Sequence, residues 1–349
     1  MKKKVFIGCL FCLLMAAVLL CAVSCGGEPQ RKYKTTYGYF NTVTTVFDYT
    51  GGTEEEFEDN FDLVCETLTY YHKLFDIYND AEGAVGLYEI NREAGKSAVR
   101  VDGSVIDFLE YCKEIYELTE GEVNIAMGAV LRLWHECRTD ASISTALARI
   151  PSRAELTEAS LHCDINKIII NREESTVYLE DPMMSLDVGA IGKGYAVEMV
   201  AKRLVANGVE GYVLDVGGNL RMIGDRPSGK GYRTGIKDPS DPSGGYSMIL
   251  TVSKTSTATS GGYERYFVVD DEIYHHIIDK DTLYPAEHMS SVTVITEDAG
   301  LADSLSTALF CMDIESGLAL VESLDGVEAV WIKVDGTLIE SAGIKDFEN

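Results

Sequence analysis

A carboxylate and a hydroxyl near the C-terminal end of the chain have the spacing of a metal-binding pair. Leu301, Leu305 and Leu309 recur every four residues, which predicts a helix. Asp303 and Thr307 are also four residues apart, so this helix places both side chains on one face, a turn apart. Oxygen ligands that leave room for water and phosphate suit Mg²⁺. The spacing alone more often marks an ordinary helix acid and a hydroxyl at the edge of the core, so other segments must support a metal site.

A glycine-rich segment upstream has the features of an anion site. In S-L-D-V-G-A-I-G-K-G-Y-A (185–196), three glycines precede a helix that continues to Leu204. Glycines at a strand-to-helix turn let backbone amides approach an anion, and the helix N-terminus adds a partial positive charge that Lys193 reinforces. The segment matches neither the P-loop nor the dinucleotide-binding fingerprint. By itself it fits a phosphate site and a merely tight turn equally well.

The first residues of the chain form a targeting segment. Three lysines precede an apolar run over 5–23, and small residues follow, which is the pattern of an export signal. The segment A-V-S-C (22–25) resembles a bacterial lipobox, which implies a signal peptide over 1–24 and a lipidated Cys25. An uncleaved signal anchor is the alternative, because the run is nearly long enough to span a bilayer. Either way we expect a membrane-anchored protein on the extracytoplasmic face, with a polar tether over 25–37.

The composition limits the possible functions. The 349 residues carry a formal charge of −26, which disfavours binding to nucleic acid and to anionic membrane surfaces. Beyond Cys25 the five remaining cysteines are scattered and form no C-x-x-C motif, so neither a disulfide framework nor a zinc site is predicted. The roughly 320 residues after the signal suit one large domain or two intimate ones, and we treat 38–345 as one functional domain.

Helical and strand patterns alternate along this domain without a strict βαβ period. That arrangement indicates an α+β fold with mixed sheets and packed helices. Apolar periodicity and cap residues predict helices over 53–75, 105–119, 123–137, the segment that ends at Leu204, and the segment around 301–309. β-Branched runs predict strands over 38–49, 211–216 and 290–296, with hairpins at 165–181 and 330–339. The polar stretch 139–157 is predicted to be a surface insertion.

Five motifs, in order along the chain, resemble the ApbE family, the FAD:protein FMN transferases. They are D-V-G-A-I-G-K-G-Y-A (187–196), D-V-G-G-N (215–219), S-G-G-Y-E-R-Y-F (260–267), Y-H-H-I-I-D (274–279) and A-D-S-L-S-T-A-L (302–309). The resemblance covers nearly all of the chain after the tether. It implies an ApbE-like α+β fold with a flavin site in a cleft between two subdomains.

The resemblance also implies roles for individual residues. Mg²⁺ is expected to bind Asp303, Thr307 and the backbone carbonyl of Ala190. His276 corresponds to a histidine beside the reacting phosphate, where an imidazole can take the proton of an acceptor hydroxyl. Adjacent strand residues face opposite sides, so His275 is expected to be structural. The positions implied to contact FAD are Phe40, Tyr78, Val123, Asn124, Ile125, Asp187, Lys193 and Ile277.

The chain departs from the family pattern at two places. E-L-T-E-G-E-V-N-I-A-M-G (117–128) stands where the family has a T-x-G-x-F-D-x-T block, so that Asn124 replaces an Asp and Ala126 a Thr. The segment 279–283 replaces the common D-P-x-T-G turn. Neither departure removes an implied metal ligand or His276.

The activity that the resemblance implies is the Mg²⁺-dependent transfer of FMN from its substrate, FAD, to a Thr or Ser hydroxyl of a partner flavoprotein. A phosphoester forms and AMP leaves. The expected acceptor is a subunit of an extracytoplasmic electron-transfer complex of the Rnf or Nqr type, or a flavin reductase. Two alternatives remain. In one, water replaces the hydroxyl and FAD is hydrolysed to FMN and AMP; in the other, the protein is a non-catalytic flavin-binding lipoprotein.

Overall fold

The computed structural model describes residues 30–241 and 243–348. The predicted signal peptide over 1–24, the lipidated Cys25 and the first part of the tether therefore lie outside the described residues. Within the described ranges, no helix combines the length and the apolar character that a membrane span requires.

An eight-stranded antiparallel sheet forms the centre of the described chain, in the order β1-β2-β6-β7-β10-β13-β14-β15. Three smaller antiparallel sheets surround it: β3-β5-β4, the ribbon β8-β9 and the ribbon β11-β12. The strands are β1 (Lys32–Tyr39), β2 (Thr42–Asp48), β3 (Val99–Arg100), β4 (Ile168–Asn171), β5 (Thr176–Leu179), β6 (Tyr212–Val216), β7 (Asn219–Ile223), β8 (Tyr232–Lys237), β9 (Tyr246–Val252), β10 (Ser256–Gly261), β11 (Tyr266–Val269), β12 (Glu272–His275), β13 (Met289–Thr296), β14 (Glu328–Lys333) and β15 (Leu338–Glu340).

Helices cover one face of this sheet and extend beyond it. They are α1 (Glu54–Phe75), α2 (Leu87–Arg92), α3 (Gly103–Leu118), α4 (Gly128–Ile143), α5 (Arg153–Ser160), α6 (Gly192–Ala206), α7 (Ala299–Cys311) and α8 (Ile314–Glu322). Side-chain caps set the starts of α1, α3, α5, α7 and α8. At α1, Thr53 Oγ1 accepts the Glu56 N–H at 3.2 Å while the Glu56 carboxylate accepts the Thr53 N–H at 2.8 Å, which is a capping box.

Strand alternation divides the core between the two faces of the main sheet. Leu214 and Val216 pack with α1, α3 and α6 in one large cluster. Val213 and Met222 point the other way and pack under the β8-β9 ribbon. A separate cluster around Trp134 joins α4 and α5 to β11 and β12. The predicted α+β fold is therefore confirmed, and its core holds both faces of the sheet.

Most predicted elements are present, but four boundaries differ. Residues 32–37, assigned to the tether, form most of β1 at the edge of the main sheet. The strand predicted over 38–49 is interrupted by a turn in which Phe40 and Asn41 have φ values of 49° and 54°. The helix predicted from 123 begins at Gly128, because 123–127 is a loop that bridges to Ser185. The insertion predicted at 139–157 contains the end of α4 and the start of α5.

Candidate active site

A cavity of about 870 Å³ opens beside the ends of β6, β7 and β10. The loop at 122–127, the start of α4, the glycine-rich segment before α6 and the segment 260–278 also form its walls. The family resemblance implies twelve site residues in the domain, counting His276, and all of them except Phe40 line this cavity. The lining members are Tyr78, Val123, Asn124, Ile125, Asp187, Ala190, Lys193, His276, Ile277, Asp303 and Thr307.

The carboxylate of Asp303 lines this cavity where α6 meets α7, and we call the part of the lining formed by Asp303, Thr307 and Lys193 the floor. Asp303 is 7% exposed, and its Oδ2 accepts the backbone N–H of Gly194 at 2.7 Å. A Cβ at position 194 would lie 2.3 Å from the Cβ of Asp303 and 2.4 Å from the carbonyl oxygen of Ala299. The third glycine of the motif at 189–194 is therefore required for the two helices to approach and for the amide to reach the carboxylate.

Lys193 connects three of the sequence motifs through one ammonium group. Its Nζ donates to Asn219 Oδ1 at 3.0 Å and to the carbonyl of Gly217 at 3.5 Å, and it lies 3.9 Å from Asp303 Oδ1. The glycine turn after β6 and the start of α7 are thereby fixed relative to α6. The floor thus holds one carboxylate and one ammonium group in a defined arrangement.

The oxygen atoms near Asp303 fit a hydrated Mg²⁺. Thr307 follows one turn later on α7, with its Oγ1 3.2 Å from Ser260 Oγ. Ala190 lines the same cavity, and Oδ1 of Asp303 has no hydrogen-bond donor among the described residues. Across the described ranges, no group of three or more His, Cys, Asp or Glu side chains could hold a metal ion. A metal here would depend on one carboxylate, a hydroxyl, a carbonyl and oxygens of water or phosphate, a hard donor set that Mg²⁺ accepts.

His276 lines the same cavity, on a wall that it shares with Arg138 and Arg265, and it is held as a neutral imidazole. Its Nδ1 donates to the carbonyl of Arg265 at 3.2 Å, which leaves Nε2 without a proton. Burial, together with the positive charges of Arg265 and Arg138, lowers the pKa of His276 to about 4. The histidine is therefore a proton acceptor at neutral pH.

The adjacent His275 has a structural role, as expected. Its Nδ1 accepts the N–H of Ile277 at 3.2 Å, and its Nε2 donates to the carbonyl of Ala286 at 2.8 Å. The edge of its ring packs on Phe310. Both ring nitrogens are occupied, so no proton can be exchanged with a ligand without breaking the local structure.

Two guanidinium groups share the wall with His276. Arg138 donates to Nδ1 of His135 at 3.0 Å, and burial together with the charge of Arg265 lowers the pKa of Arg138. Among the described residues, no carboxylate lies within 4 Å of either guanidinium. The negative charge of Asp187 acts on Arg138; the Asp187 carboxylate accepts the Gly189 N–H at 2.9 Å, and burial raises its pKa. This wall carries excess positive charge and is suited to an anion.

Aromatic and backbone surfaces adjoin the cationic wall. The Tyr78 ring is 57% exposed and lies 5.2 Å from the ring of His135. The loop at 123–125 is anchored on both sides, since Thr119 Oγ1 accepts the Val123 N–H at 3.2 Å and the carbonyl of Ile125 accepts the Asp187 N–H at 2.9 Å. Both surfaces line the cavity.

The structure explains the replacement at position 124. Asn124 Oδ1 accepts the Ala126 N–H at 2.9 Å, and Nδ2 donates to the carbonyl of Cys163 at 2.9 Å. The side-chain amide is thus used by the protein itself, and an aspartate could not make the second bond.

Phe40 is not brought together with the other implied residues. It lies in the turn between β1 and β2, and its ring packs edge-on against His72 at a centroid distance of 5.4 Å. Thr42, just after the turn, lines the cavity instead. The implied contact between Phe40 and FAD therefore has no support from the cavity as the structure has it.

Several lining residues were not identified as site residues from the sequence, and four of them carry groups that could act on a ligand. Ser260 and Arg265 lie inside the quoted motif S-G-G-Y-E-R-Y-F, which could have signalled them. Arg138 lies in no motif, and only the fold brings α4 beside the segment before β11. Glu122, one residue before the loop at 123–125, also lines the cavity, and its Oε1 lies 3.3 Å from Lys280 Nζ.

The chain is similar to known proteins over almost its whole length. Residues 39–331 match the sequence model of the ApbE family. The chain is 32% identical to an FAD:protein FMN transferase of Treponema pallidum (strain Nichols), over 97% of this chain and 94% of that protein. An FAD:protein FMN transferase of Klebsiella pneumoniae (strain 342) is 30% identical over 80% of this chain and 84% of its own length. The fold is similar to that of an ApbE protein from Thermotoga maritima, with a TM-score of 0.80 and 26% identity over 92% of this chain and 100% of that one.

Proposed function

The chain belongs to the ApbE family and is an enzyme of the FAD:protein FMN transferase type, and on that premise we propose the course of its reaction. FAD is cleaved at its diphosphate with the help of Mg²⁺. The FMN part passes to a Ser or Thr hydroxyl of a partner flavoprotein as a phosphoester, and AMP leaves.

One observation carries the proposal. The Asp303–Lys193 floor and the neutral His276 lie in a single cavity, which is large enough at about 870 Å³ for a dinucleotide. Diphosphate cleavage needs negative charge to be neutralised at one place and a proton to be removed at another. The floor and the wall that carries His276 offer these two functions.

Each group has a defined part in the proposed step. The acceptor oxygen attacks the phosphorus of the FMN phosphate, and the bond from that phosphorus to the bridging oxygen of AMP breaks. The hydroxyl proton goes to Nε2 of His276, which is free because Nδ1 is bonded to the Arg265 carbonyl. The electron pair of the broken bond leaves on the AMP phosphate. A Mg²⁺ ion bound by Asp303, Thr307 and the Ala190 carbonyl supplies positive charge to the diphosphate when present.

Besides the metal, the basic side chains of the floor and of the wall that carries His276 bind the diphosphate. Lys193 reaches the floor side of the phosphates, while Arg138 and Arg265 reach the side next to His276. A guanidinium that has no carboxylate partner gains most from a phosphate, because its charge is then compensated in a partly buried place. We assign the flavin ring to the surface formed by Tyr78 and the 123–125 loop, since an exposed aromatic ring stacks on a planar ligand.

We propose that the acceptor is a flavoprotein on the outer face of the membrane. An electron-transfer subunit of the Rnf or Nqr type, or a flavin reductase, has the required location if Cys25 is lipidated. The N-terminal charge and hydropathy pattern supports this location.

The direct test is transfer between purified components. The protein without its first 25 residues is mixed with FAD, Mg²⁺ and a candidate acceptor domain, and the acceptor is weighed by intact-mass spectrometry. The proposal expects a gain equal to FMN minus water on a single Ser or Thr, with AMP in equal amount. FMN and AMP formed at the same rate without acceptor would favour the hydrolase. FAD that binds but is never cleaved, with every acceptor tried, would favour the flavin-binding lipoprotein.

A further inference from the structure

One edge of β10 lies open inside the cavity. β10 pairs with β13 along its whole length, from Ser256 to Gly261. On its other side it pairs with β7 only at Ser256 and Thr257, because β7 begins at Asn219, after the glycine turn. The rest of β10 therefore has one paired edge and one open edge. Thr259 and Gly261, at this open edge, line the cavity.

The hydrogen-bonding groups of Thr259 point toward this open edge. The carbonyl of Thr255 accepts a β7 amide, the N–H of Met222, at 2.8 Å. Backbone direction alternates along a strand, so Thr257 and Thr259 point to the same side as Thr255. Across the described residues, neither the N–H nor the carbonyl of Thr259 has a backbone partner on that side.

The glycine turn cannot take the place of a pairing strand. Continued register would set Gly218 opposite Thr259. The N–H of Gly218 instead donates to the Asp215 carboxylate at 3.0 Å, and its φ of 85° turns the chain away from an extended course. The conformation of the glycine turn therefore leaves the edge of β10 at Thr259 unpaired.

The side chains of β10 divide between the two faces of the sheet. Ser260 faces α7, where its Oγ lies 3.2 Å from Thr307 Oγ1. Thr259 faces the other side, where its hydroxyl lies 2.8 Å from that of Thr293. A strand added to the open edge therefore presents every second side chain to the face that carries Asp303 and Thr307.

The charge of the cavity differs from that of the whole protein. Its lining includes six basic side chains and five acidic ones, whereas the chain as a whole carries a formal charge of −26. The six are Arg31, Arg138, Lys193, Arg233, Lys237 and Arg265. A segment that enters the cavity meets locally favourable conditions if it is neutral or acidic and unfavourable ones if it is basic.

We propose that the open edge of β10 docks the acceptor protein, whose neutral or acidic hydroxyl-bearing segment adds there as an antiparallel strand and bonds to Thr259. The inference rests on the proposed function, since it states how the protein substrate is held. Open strand edges recruit extended chains through main-chain hydrogen bonds. Both existing partners of β10 run antiparallel to it, which gives the direction. The surfaces assigned to the flavin, at Tyr78 and 123–125, belong to other walls, so the edge is left for the second substrate.

The pairing determines which acceptor residue bears the reacting hydroxyl. In an antiparallel ladder, the residue opposite Thr259 exchanges both hydrogen bonds with it and places its side chain on the same face as Thr259. The reacting hydroxyl must lie on the other face, with Ser260. It therefore belongs to a direct neighbour of the bonded residue, and its own N–H points away from β10.

N-methylated peptides test this arrangement with the unaltered enzyme. The probe is a synthetic peptide copied from the acceptor segment that mass spectrometry finds carrying FMN, made unmodified, with N-methyl on the hydroxyl residue, or with N-methyl on either neighbour. We expect methylation of the hydroxyl residue to change the KM for peptide less than threefold. Methylation of one neighbour should raise it roughly tenfold to a hundredfold, because a hydrogen bond is lost and a methyl group enters the ladder. Equal effects at all three positions, or none, would overturn the proposal.

A variant of the enzyme supplies the reciprocal measurement. Thr259→Pro removes the open-edge N–H, which bonds to nothing in the described protein, and proline is tolerated at strand edges. T259P removes the bond that the Thr259 N–H donates, and the N-methyl group removes the bond that the Thr259 carbonyl accepts, so each change tests one of the two exchanged bonds. In T259P the KM for the unmodified peptide should therefore rise roughly tenfold or more. An unchanged KM in a folded variant contradicts the proposal, and the peptide series decides alone if the variant does not fold.

The preference for a neutral or acidic segment is tested separately, and the experiments also distinguish failure of the docking mode from failure of the proposed function. Replacing a residue that flanks the hydroxyl by lysine should raise the KM for peptide severalfold more than replacing it by glutamate. If the intact acceptor is modified but its unmethylated peptide is not, the extended docking mode is wrong while the transferase function stands. If no acceptor is ever modified, the proposed function itself fails.

Discussion

The two walls of the cavity differ in how their charges are compensated. On the floor, the Asp303 carboxylate has the Gly194 N–H at 2.7 Å and the Lys193 ammonium at 3.9 Å. On the wall that carries His276, Arg138 and Arg265 have no carboxylate within 4 Å among the described residues, and His276 is neutral. The charge of Asp303 on the floor is thus compensated by a protein group, although its Oδ1 accepts no hydrogen bond among the described residues, whereas the two guanidinium charges on the wall have no such close partner.

This difference indicates that the two walls meet the substrate in different ways. A buried charge that is already hydrogen-bonded keeps its position when the ligand leaves, so the floor is preorganised. Guanidinium groups that repel each other and have no carboxylate within 4 Å are compensated further by an anionic ligand, so the wall contributes mainly to anion binding and to the pKa of its histidine. Variants of the floor should therefore change the chemical step, and variants of the wall should change binding and pH dependence.

Removal of the floor charge should have the largest effect. Asp303→Asn keeps an oxygen that accepts the Gly194 N–H but loses the negative charge, so we expect FMN transfer to fall by about 10²- to 10³-fold. Transfer is measured by the mass of the acceptor, and folding by thermal unfolding. Asp303→Ala should lose transfer to a similar extent and also be less stable by roughly 1–3 kcal/mol, because the buried Gly194 amide loses its acceptor. If the alanine variant still transferred FMN at the full rate with divalent metal chelated, the proposal that Asp303 binds a required Mg²⁺ would be wrong.

Loss of the proton acceptor should rank next. His276→Gln retains a polar group beside the Arg265 carbonyl but cannot take a proton at neutral pH, so we expect kcat to fall by about 10²-fold with the Kd for FAD nearly unchanged. Single-turnover rates and FAD titration separate these quantities. His275→Gln is the matched control, since that ring only joins Ile277 to Ala286 and its loss should lower stability. A rate unaffected in H276Q together with lost FAD binding would contradict the assignment of the base.

Removal of one wall charge should have a smaller effect and a distinct pH signature. Burial and the charges of Arg265 and Arg138 lower the pKa of His276 to about 4 in the protein without ligand. Arg265→Gln removes one positive charge, so the pKa of His276 should rise toward its unperturbed value of about 6.5. The base must be unprotonated, and the acidic limb of kcat/KM should therefore move to higher pH.

The same variant should also weaken FAD binding by roughly tenfold, since one charge-assisted bond is lost. The titration of His276 is followed by NMR, and kcat/KM is measured from pH 4 to 8. Arg233→Gln is the control, because this basic lining residue is not among the groups that lower the pKa of His276. An equal shift in both variants would show that the charge of the whole cavity, and not the wall beside His276, sets the pKa.

The floor could be predicted from the sequence because its main residues are close to one another along the chain. Four-residue spacing on one helix places Asp303 and Thr307 together, and a glycine-rich helix start predicts an anion site. The requirement for Gly194 in the contact between α6 and α7 was not predictable, since it depends on how closely the two helices approach. Helix and strand types were predicted well in long periodic segments and poorly at 123–127, where the pairing with Ser185 decides the local structure.

The wall was hidden from the sequence because it is formed by distant segments. Arg138 on α4 and Arg265 before β11 meet only through the packing of the Trp134 cluster. One further feature that depends on such packing was predicted incorrectly, and another has no support from the cavity. Residues 32–37 pair into the main sheet and are not a free tether, and Phe40 lies in a turn against His72. Resemblance supplied the roles of many positions, but it could not show which side chains the protein uses for itself.

Asn124 is such a side chain, and its replacement should have the smallest effect on activity. Its amide bonds to the Ala126 N–H and the Cys163 carbonyl, both at 2.9 Å, which leaves the backbone of the loop to face the cavity. Asn124→Asp loses the donor and sets a carboxylate oxygen against the Cys163 carbonyl. We expect a loss of about 1–3 kcal/mol in the free energy of unfolding, measured in urea. kcat/KM for FAD should stay within about threefold, as the side chain belongs to neither wall. If N124D instead bound FAD tenfold more tightly, with unchanged stability, the side chain would have to face the flavin, and the cavity would have a third functional wall.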